Sequence, residues 1–205
     1  MAHTYLTDRV YEALRKKILE CEYPPGAVLN EAALVKEFGS SRTPMHNAII
    51  SLAAENLVTV IPKKGVIVNG ITLNDVLEVY DVRSMIEPEV VSRYGDLLPR
   101  DYLQEYLERC HAATELQEKI RLDEELHSRL YSVCRNHYLR DILYRLEGHN
   151  HRNRVWRSNE SRVNASMREH EEIVRALLAG ETELAAQKMR EHITNAREYA
   201  IRKYL

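Results

Sequence analysis

The apolar positions of this chain change their period twice. Val10, Leu14, Ile18 and Leu19 keep helical spacing from a cap at Thr7 or Asp8 to about Glu20, where Tyr23-Pro24-Pro25-Gly26 stops the helix. Ala32, Ala33, Leu34, Val35 and Phe38 give the apolar face of a short second helix, with Glu31 in its first turn and Gly39 at its end. Ser40 or Ser41 then caps a third, with Pro44 in its first turn, a stripe of Ala48, Ile49, Leu52 and Ala53, and Asn56 at its close. Next come two short β-branched runs, Leu57 to Ile61 and Val66 to Val68, joined by the hairpin tip Pro62-Lys63-Lys64-Gly65. From Asp75 onward helical spacing returns and never lapses.

The second and third helices with their glycine turn have the spacing of a helix-turn-helix, and equally of an ordinary αα-hairpin. The strand pair decides for the former, because it supplies a wing. Two adjacent lysines beside a glycine suit close approach to phosphates, and a purely structural hairpin has no need of like charges at its tip. The candidate DNA contacts are therefore Ser41, Arg42, Thr43, Met45 and His46, facing outward from the start of the third helix, with Lys63, Lys64 and Gly65 in the wing. Asn69 to Asp75 offers turn residues and a cap, so the chain divides into residues 1–70 and 71–205, with the joining segment as a natural hinge.

The second part reads as six helices. Val76, Val79, Tyr80, Val82, Met85, Ile86 and Val90 mark one, ending near Gly95, and Pro99 opens another carrying Leu103, Tyr106, Leu107 and Cys110. The others run from about Glu118 to Cys134, Tyr138 to Trp156, Ser161 to Leu178, and Thr182 to near the C-terminus. Short connections imply an antiparallel bundle. The fold class is thus mostly α, a winged helix-turn-helix with a small β-hairpin followed by an all-α bundle.

Within that bundle Asp123 and His127 stand four apart, so one helical turn points them the same way. His170 lies beside the core positions Ile173, Val174 and Leu177, and antiparallel packing across Gly180 brings His192 alongside it. One carboxylate and three imidazoles form a ligand set for a divalent transition metal such as Zn, Ni, Mn or Fe. His149-Asn150-His151 is a weaker rival, since residues two apart point to different sides of a helix. Arg83, four before Glu87, either pairs with it or enters the bundle as a partner for a carboxylate over the metal. Tyr80, Arg152 and Asn195 are further candidates to line an effector cavity, with Arg154 as another arginine for the same task.

Composition narrows the class without naming a partner. The 205 residues are 44% hydrophobic and 29% charged, enough for two packed domains, and the net charge of −2 does not announce nucleic acid. Residues 1–70 carry eight Lys/Arg against seven Asp/Glu, so any DNA surface depends on a few placed cations. Cys21, Cys110 and Cys134 are odd in number and lack a C-x-x-C pair, arguing against a disulfide framework or thiolate metal site. No segment has the form of a signal peptide or a membrane span, so a cytoplasmic protein without membrane contact is expected.

Taken together these residues resemble a GntR-family transcription regulator of the FadR subclass with an FCD effector-binding domain. The N-terminal likeness rests on Pro25-Gly26, Leu29-Asn30-Glu31, Ser41-Arg42-Thr43-Pro44, Ala48, Leu52, Asn56-Leu57-Val58 and the wing Pro62-Lys63-Lys64-Gly65. The C-terminal likeness rests on Val82-Arg83 with Glu87, Asp123 with His127, Glu169-His170, and His192. With six bundle helices the chain is similar to the shorter, VanR-like members.

The resemblance implies a homodimer on double-stranded DNA carrying an imperfect palindromic operator, and a small organic acid effector. Asp123, His127, His170 and His192 would be the metal ligands. The expected function is a metabolite-responsive transcription regulator, a repressor by the family's habit, and not an enzyme. The alternatives are a regulator whose metal is purely structural, and a metal-dependent hydrolase, for which no general base is obvious beside the ligands except Glu124, Glu125, Glu169 or Glu171, whose helical phases differ from the ligands' own. Where the family usually shows Arg-Glu after Pro-x, this chain has His46-Asn47, and Ala32 replaces a frequent basic residue. An altered base preference is the expected consequence.

Overall fold

A computed structural model describes the backbone of residues 2–62, 65–157 and 159–204, with side chains from Arg9 onward and Arg157 excepted. The chain divides into two compact units, residues 1–72 and 73–205.

The first unit is built in the order α1 (Ala2–Leu19), β1 (Val28–Leu29), α2 (Glu31–Glu37), α3 (Arg42–Ala54), β2 (Val58–Ile61) and β3 (Gly65–Val68). Helix α1 begins ahead of Thr7 and Asp8, so neither caps it. The core joins Val10, Leu14 and Ile18 of α1 to Leu34, Met45, Ile49 and Leu52 of α2 and α3 and to Val58, Val66 and Val68 of the sheet. Polar contacts reinforce it: Tyr11 Oη donates to Glu55, and Arg15 Nε donates to Glu55 Oε2 at 2.9 Å. Arg15 is thereby committed within the domain.

Asn30 caps α2 by accepting from Ala33 N at 3.1 Å, a role the pattern of apolar residues did not reveal. Gly39, with φ +58°, ends it. Ser41 occupies the N-cap position of α3, but neither serine caps it through its side chain: Ser41 makes no such bond and Ser40 Oγ donates to the Ser41 carbonyl. Ala32 and Ala33 are exposed, leaving Leu34 as the buried anchor of so short a helix.

The sheet has three strands in the order β1-β3-β2, all antiparallel, with Val28 opposite Ile67 and Val60 opposite Val66. The expected hairpin is present and β1 adds a third strand to it. Gly65 sits where β1 and β3 meet at φ +110°, and a Cβ there would lie 2.9 Å from the Leu29 carbonyl oxygen. Close backbone packing alone therefore requires this glycine.

The second unit contains α4 (Leu73–Tyr94), α5 (Arg100–Ala112), α6 (Leu116–Val133), α7 (His137–Arg157), α8 (Glu160–Leu178) and α9 (Thr182–Tyr204), with one 3₁₀ turn at Gly95–Leu97. Helices α4 and α9 run antiparallel, tied by Arg197 Nε to Asp81 Oδ1 at 3.1 Å near one end and by Ser92 to Glu183 near the other. Helices α8 and α9 form a hairpin across Gly180, whose φ is +78°. Helices α6 and α8, which are not consecutive, run the same way: Lys119 bonds Asn164 and Asp123 bonds Ser166. This brings the middles of both helices to one level.

Leu122, Leu126, Leu130, Ile173, Val174, Met189 and Ile193 fill the interior around that level. Met85, expected on the apolar face of α4, is 74% exposed because the buried face is set by Val76, Tyr80, Arg83, Glu87 and Val90. Among the described residues no helix is long and apolar enough to cross a membrane.

Candidate functional site

Four buried residues from three helices converge in the bundle. Asp123 and His127 come from α6, His170 from α8 and His192 from α9, and one donor atom of each lies within 4.8 Å of the others. The i,i+4 spacing on α6 and the α8–α9 hairpin bring them together as the sequence pattern implies. His170 and His192 have ring centroids 4.5 Å apart, and their Nε2 atoms are 3.4 Å apart. Asp123 Oδ1 is 3.7 Å from His170 Nε2.

What lies behind each ring fixes which nitrogen faces inward. His192 Nδ1 donates to Glu169 Oε2 at 2.7 Å, and His127 Nδ1 donates to Glu87 Oε2 at 2.9 Å. Tyr106 Oη donates to the Leu122 carbonyl at 3.2 Å and so accepts from His170 Nδ1, also at 3.2 Å. With every Nδ1–H directed outward, each Nε2 carries its lone pair; that of His127 lies 3.4 Å from Arg83 Nη2, and those of His170 and His192 face one another.

Two lone pairs at that separation repel unless a cation lies between them. Ligand bonds of roughly 2.0–2.2 Å put neighbouring donor atoms about 3–4 Å apart, the spacing found here for His170, His192 and Asp123. A carboxylate and three imidazoles backed by carboxylate and hydroxyl partners thus fit a divalent transition metal, and backing of this kind fixes the tautomer that ligation needs.

The electrostatics favour the same protonation states. Burial pushes the His170 imidazole well below its ordinary range, His192 and His127 add to the effect, and Asp123 opposes it. Burial likewise lowers His192 against the pull of Glu169. Burial alone raises the Asp123 carboxyl, but Arg154 and the three histidines outweigh it and hold the group ionised. Glu169 is brought down to about 2, its burial outweighed by hydrogen bonds from His192 and Arg162. The His170 and His192 rings are held neutral and the Asp123 and Glu169 carboxylates charged, as metal ligands and their supports must be.

A cavity opens beside this cluster, about 440 Å³ with its mouth included, and Tyr80, Arg83, Asp123, Asn150, Arg154 and Arg162 are among its walls. Arg83 turns into the bundle at 2% exposure, pairs with Glu87 and stands on the cavity wall. Tyr131 Oη donates to the same Glu87 at 2.8 Å. Tyr80 stacks 5.6 Å below the Arg83 guanidinium. Arg154 pairs with Asp123, Glu124 and Glu147.

Arg152 and Asn195 do not line the cavity. Arg152 is buried elsewhere along α7, and Asn195, exposed on α9, donates to Glu169 Oε1 at 2.9 Å. In their place stand Arg154, Arg162 and Asn150. Arg154 and Asn150 are spaced i,i+4, a signal the sequence does carry, whereas Arg162 projects from the first turn of α8 with no pattern to mark it. Nor do the two histidines flanking Asn150 join the cluster: His151 Nδ1 bonds Glu124 Oε1.

In the first unit, Ser41, Arg42, Thr43 and His46 are exposed along the start of α3, and Asn47 beside them is exposed as well. Met45 is not: it is fully buried, because it stands three and four residues before Ala48 and Ile49 and belongs to the stripe facing the core. His46 Nδ1 is 3.6 Å from Glu31 Oε1 on α2. Lys63 and Lys64 lie outside the described residues, and Gly65 has the packing role given above.

Residues 78–195 match the FCD domain family, and residues 6–68 match the family of bacterial regulatory proteins named gntR. The HTH-type transcriptional regulator YdhC of Bacillus subtilis is 28% identical over 197 residues, covering 92% of this chain and 88% of its own length. The HTH-type transcriptional repressor GlaR of Escherichia coli is 27% identical over 198 residues, 89% of this chain and 90% of its own. A Rhodococcus sp. RHA1 structure, titled as a transcriptional regulator GntR, has the same fold with a TM-score of 0.82 at 23% identity, covering 97% of this chain and 99% of that one. A winged helix-turn-helix joined to a helical bundle, with both parts matched over nearly the whole length, places this chain in the GntR family of DNA-binding transcriptional regulators, in the group that carries an FCD domain.

Proposed function

We propose that this regulator binds a divalent transition metal through Asp123, His127, His170 and His192, and that a small carboxylate bound in the adjoining cavity alters its affinity for DNA. The observation that carries the reading is the set of inward Nε2 lone pairs, each fixed by an outward Nδ1–H bond, beside a cavity walled by Arg83, Arg154 and Arg162. A divalent ion there supplies positive charge and coordination positions that an acid oxygen can occupy. The arginines, whose terminal nitrogens are largely committed to Glu87, Asp123, Glu147 and Glu169, surround the acid with positive charge. Tyr80 closes the wall beneath Arg83. The winged unit acts as a homodimer on an imperfect palindrome, reading bases from Arg42, Thr43 and His46.

Response requires only that the acid favour one arrangement of the regulator over another. Selection of genomic DNA fragments by the purified protein, with and without metal and a panel of small acids, tests the whole reading. The expected result is enrichment of a short inverted repeat whose capture changes with one acid when metal is present. Enrichment indifferent to every acid, with or without metal, leaves a regulator with no metabolite response and overturns the proposal.

A further inference from the structure

Helix α7 turns one side toward α4 and α6 and leaves much of the other uncovered. Of the eleven large hydrophobic residues that stand exposed among the described residues, five belong to this one helix: Tyr138, Ile142, Tyr144, Val155 and Trp156. Exposed apolar side chains scattered singly are ordinary, but their concentration on one element marks a face that something else covers.

The first half of α7 carries the ordered part of that face. Tyr138, Ile142 and Leu146 recur every four residues and so form one stripe, with Tyr138 72% and Ile142 43% exposed. Asp141 and Arg145 run beside it, and these five residues line one shallow groove to which no other element contributes. Both charged side chains are exposed. Their i,i+4 spacing would let them pair with each other, yet neither has an ion pair or hydrogen bond among the described residues.

An apolar stripe flanked by one free acid and one free base, a helical turn apart, is complementary to itself. A two-fold axis passing between Asp141 and Arg145 sets a second copy of α7 against the first with the order of the charges reversed. Each Asp141 then faces Arg145 of the second copy, the contact occurs twice, and the apolar stripes meet alongside. A different protein would need that charge order built into its own surface. A second copy of this chain already has it.

We infer that the face of α7 over residues 138–146 is where two copies of this chain join, through two Asp141–Arg145 contacts related by a two-fold axis. This rests on the homodimer reading above and gives it a surface. The apolar stripe supplies the adhesion, and the charges set the register.

Sedimentation velocity of the full-length protein over a range of concentrations tests this, with helical content followed by circular dichroism. The wild type is expected to sediment as a dimer. Ile142→Glu places like charges in the apolar stripe and should leave a monomer. Asp141→Arg and Arg145→Asp each set like charges against one another and should weaken association at least roughly tenfold. The two reversals combined in one chain restore opposite charges and should recover the dimer. An equimolar mixture of the two single variants should associate where neither does alone. All three positions are exposed, so helical content should stay at the wild-type level in every variant.

A wild-type dimer that none of these substitutions weakens overturns the inference and leaves the homodimer reading to another surface. Loss of the dimer in the single charge variants, without recovery in the combined variant or the mixture, overturns it too. A wild type that stays monomeric at every concentration overturns it together with the homodimer reading, and leaves the face to a different protein.

Discussion

Each imidazole of the cluster owes its orientation to a group behind it, and burial sets the response of His170 and His192 to acid. Below pH 6.5, the ordinary value for histidine, an unfolded chain takes up protons that His170 and His192 refuse while buried, so stability falls as pH falls. Glu169 acts lower on the scale: brought from 4.5 to about 2, it stabilises the fold above its ordinary value, and that contribution is lost as pH drops from 4.5 toward 2. Thermal melts of the metal-free protein should therefore decline from pH 6.5 downward, and Glu169→Gln should remove the part of the decline below 4.5. A melting temperature flat between pH 7 and 5 contradicts the buried neutral rings. The same substitution removes the carboxylate that holds His192 Nδ1–H, so metal affinity should drop about 10–100-fold with the fold intact. The cluster of Asp123, His127, His170 and His192 was legible in the sequence, from the i,i+4 spacing on α6 and the antiparallel pairing of α8 with α9. Glu169 was not legible as a support, since its neighbour His170 points inward and only the approach of α9 brings His192 within its reach.

At the scale of the element, α3 shows where periodicity informs and where a positional rule misleads. The expected exposure at the start of the helix holds for Arg42, Thr43 and His46. Met45 follows the apolar stripe instead, packed in one core with Leu14 and Ile18 of α1. Met45→Ala should cost the first unit about 2–5 kcal/mol, read from denaturant unfolding, as expected for truncating a buried methionine. His46→Arg touches an exposed position and should change stability by no more than about 0.5 kcal/mol. It should nevertheless shift base preference toward guanine, which arginine contacts through two hydrogen bonds. Selection from a random DNA library reads this directly, and an unchanged preference would count against His46 as a base reader. The wing and the bundle helices were visible from their apolar periods. Strand β1 was not, because two residues, one exposed and one buried, carry no period, and only their pairing with β3 makes them a strand.

For the whole molecule, the proposed function requires that a metal and an acid held in one unit alter DNA binding by the other. The energy required is small: a twentyfold change in DNA affinity corresponds to about 1.8 kcal/mol of coupling, within the usual range for such systems. An acid that discriminates between two arrangements by that amount suffices, and a metal that merely holds the helices together confers no such discrimination. Everything therefore depends first on whether the four ligands bind metal. The decisive measurement is metal content by mass spectrometry after loading with Zn²⁺ and exhaustive dialysis, for wild type beside His192→Ala and Asp123→Ala. One equivalent per chain in the wild type, with most of it lost from both variants while their helical content is unchanged, is the predicted result. Metal absent from the wild type, or retained equally by both variants, would contradict the account.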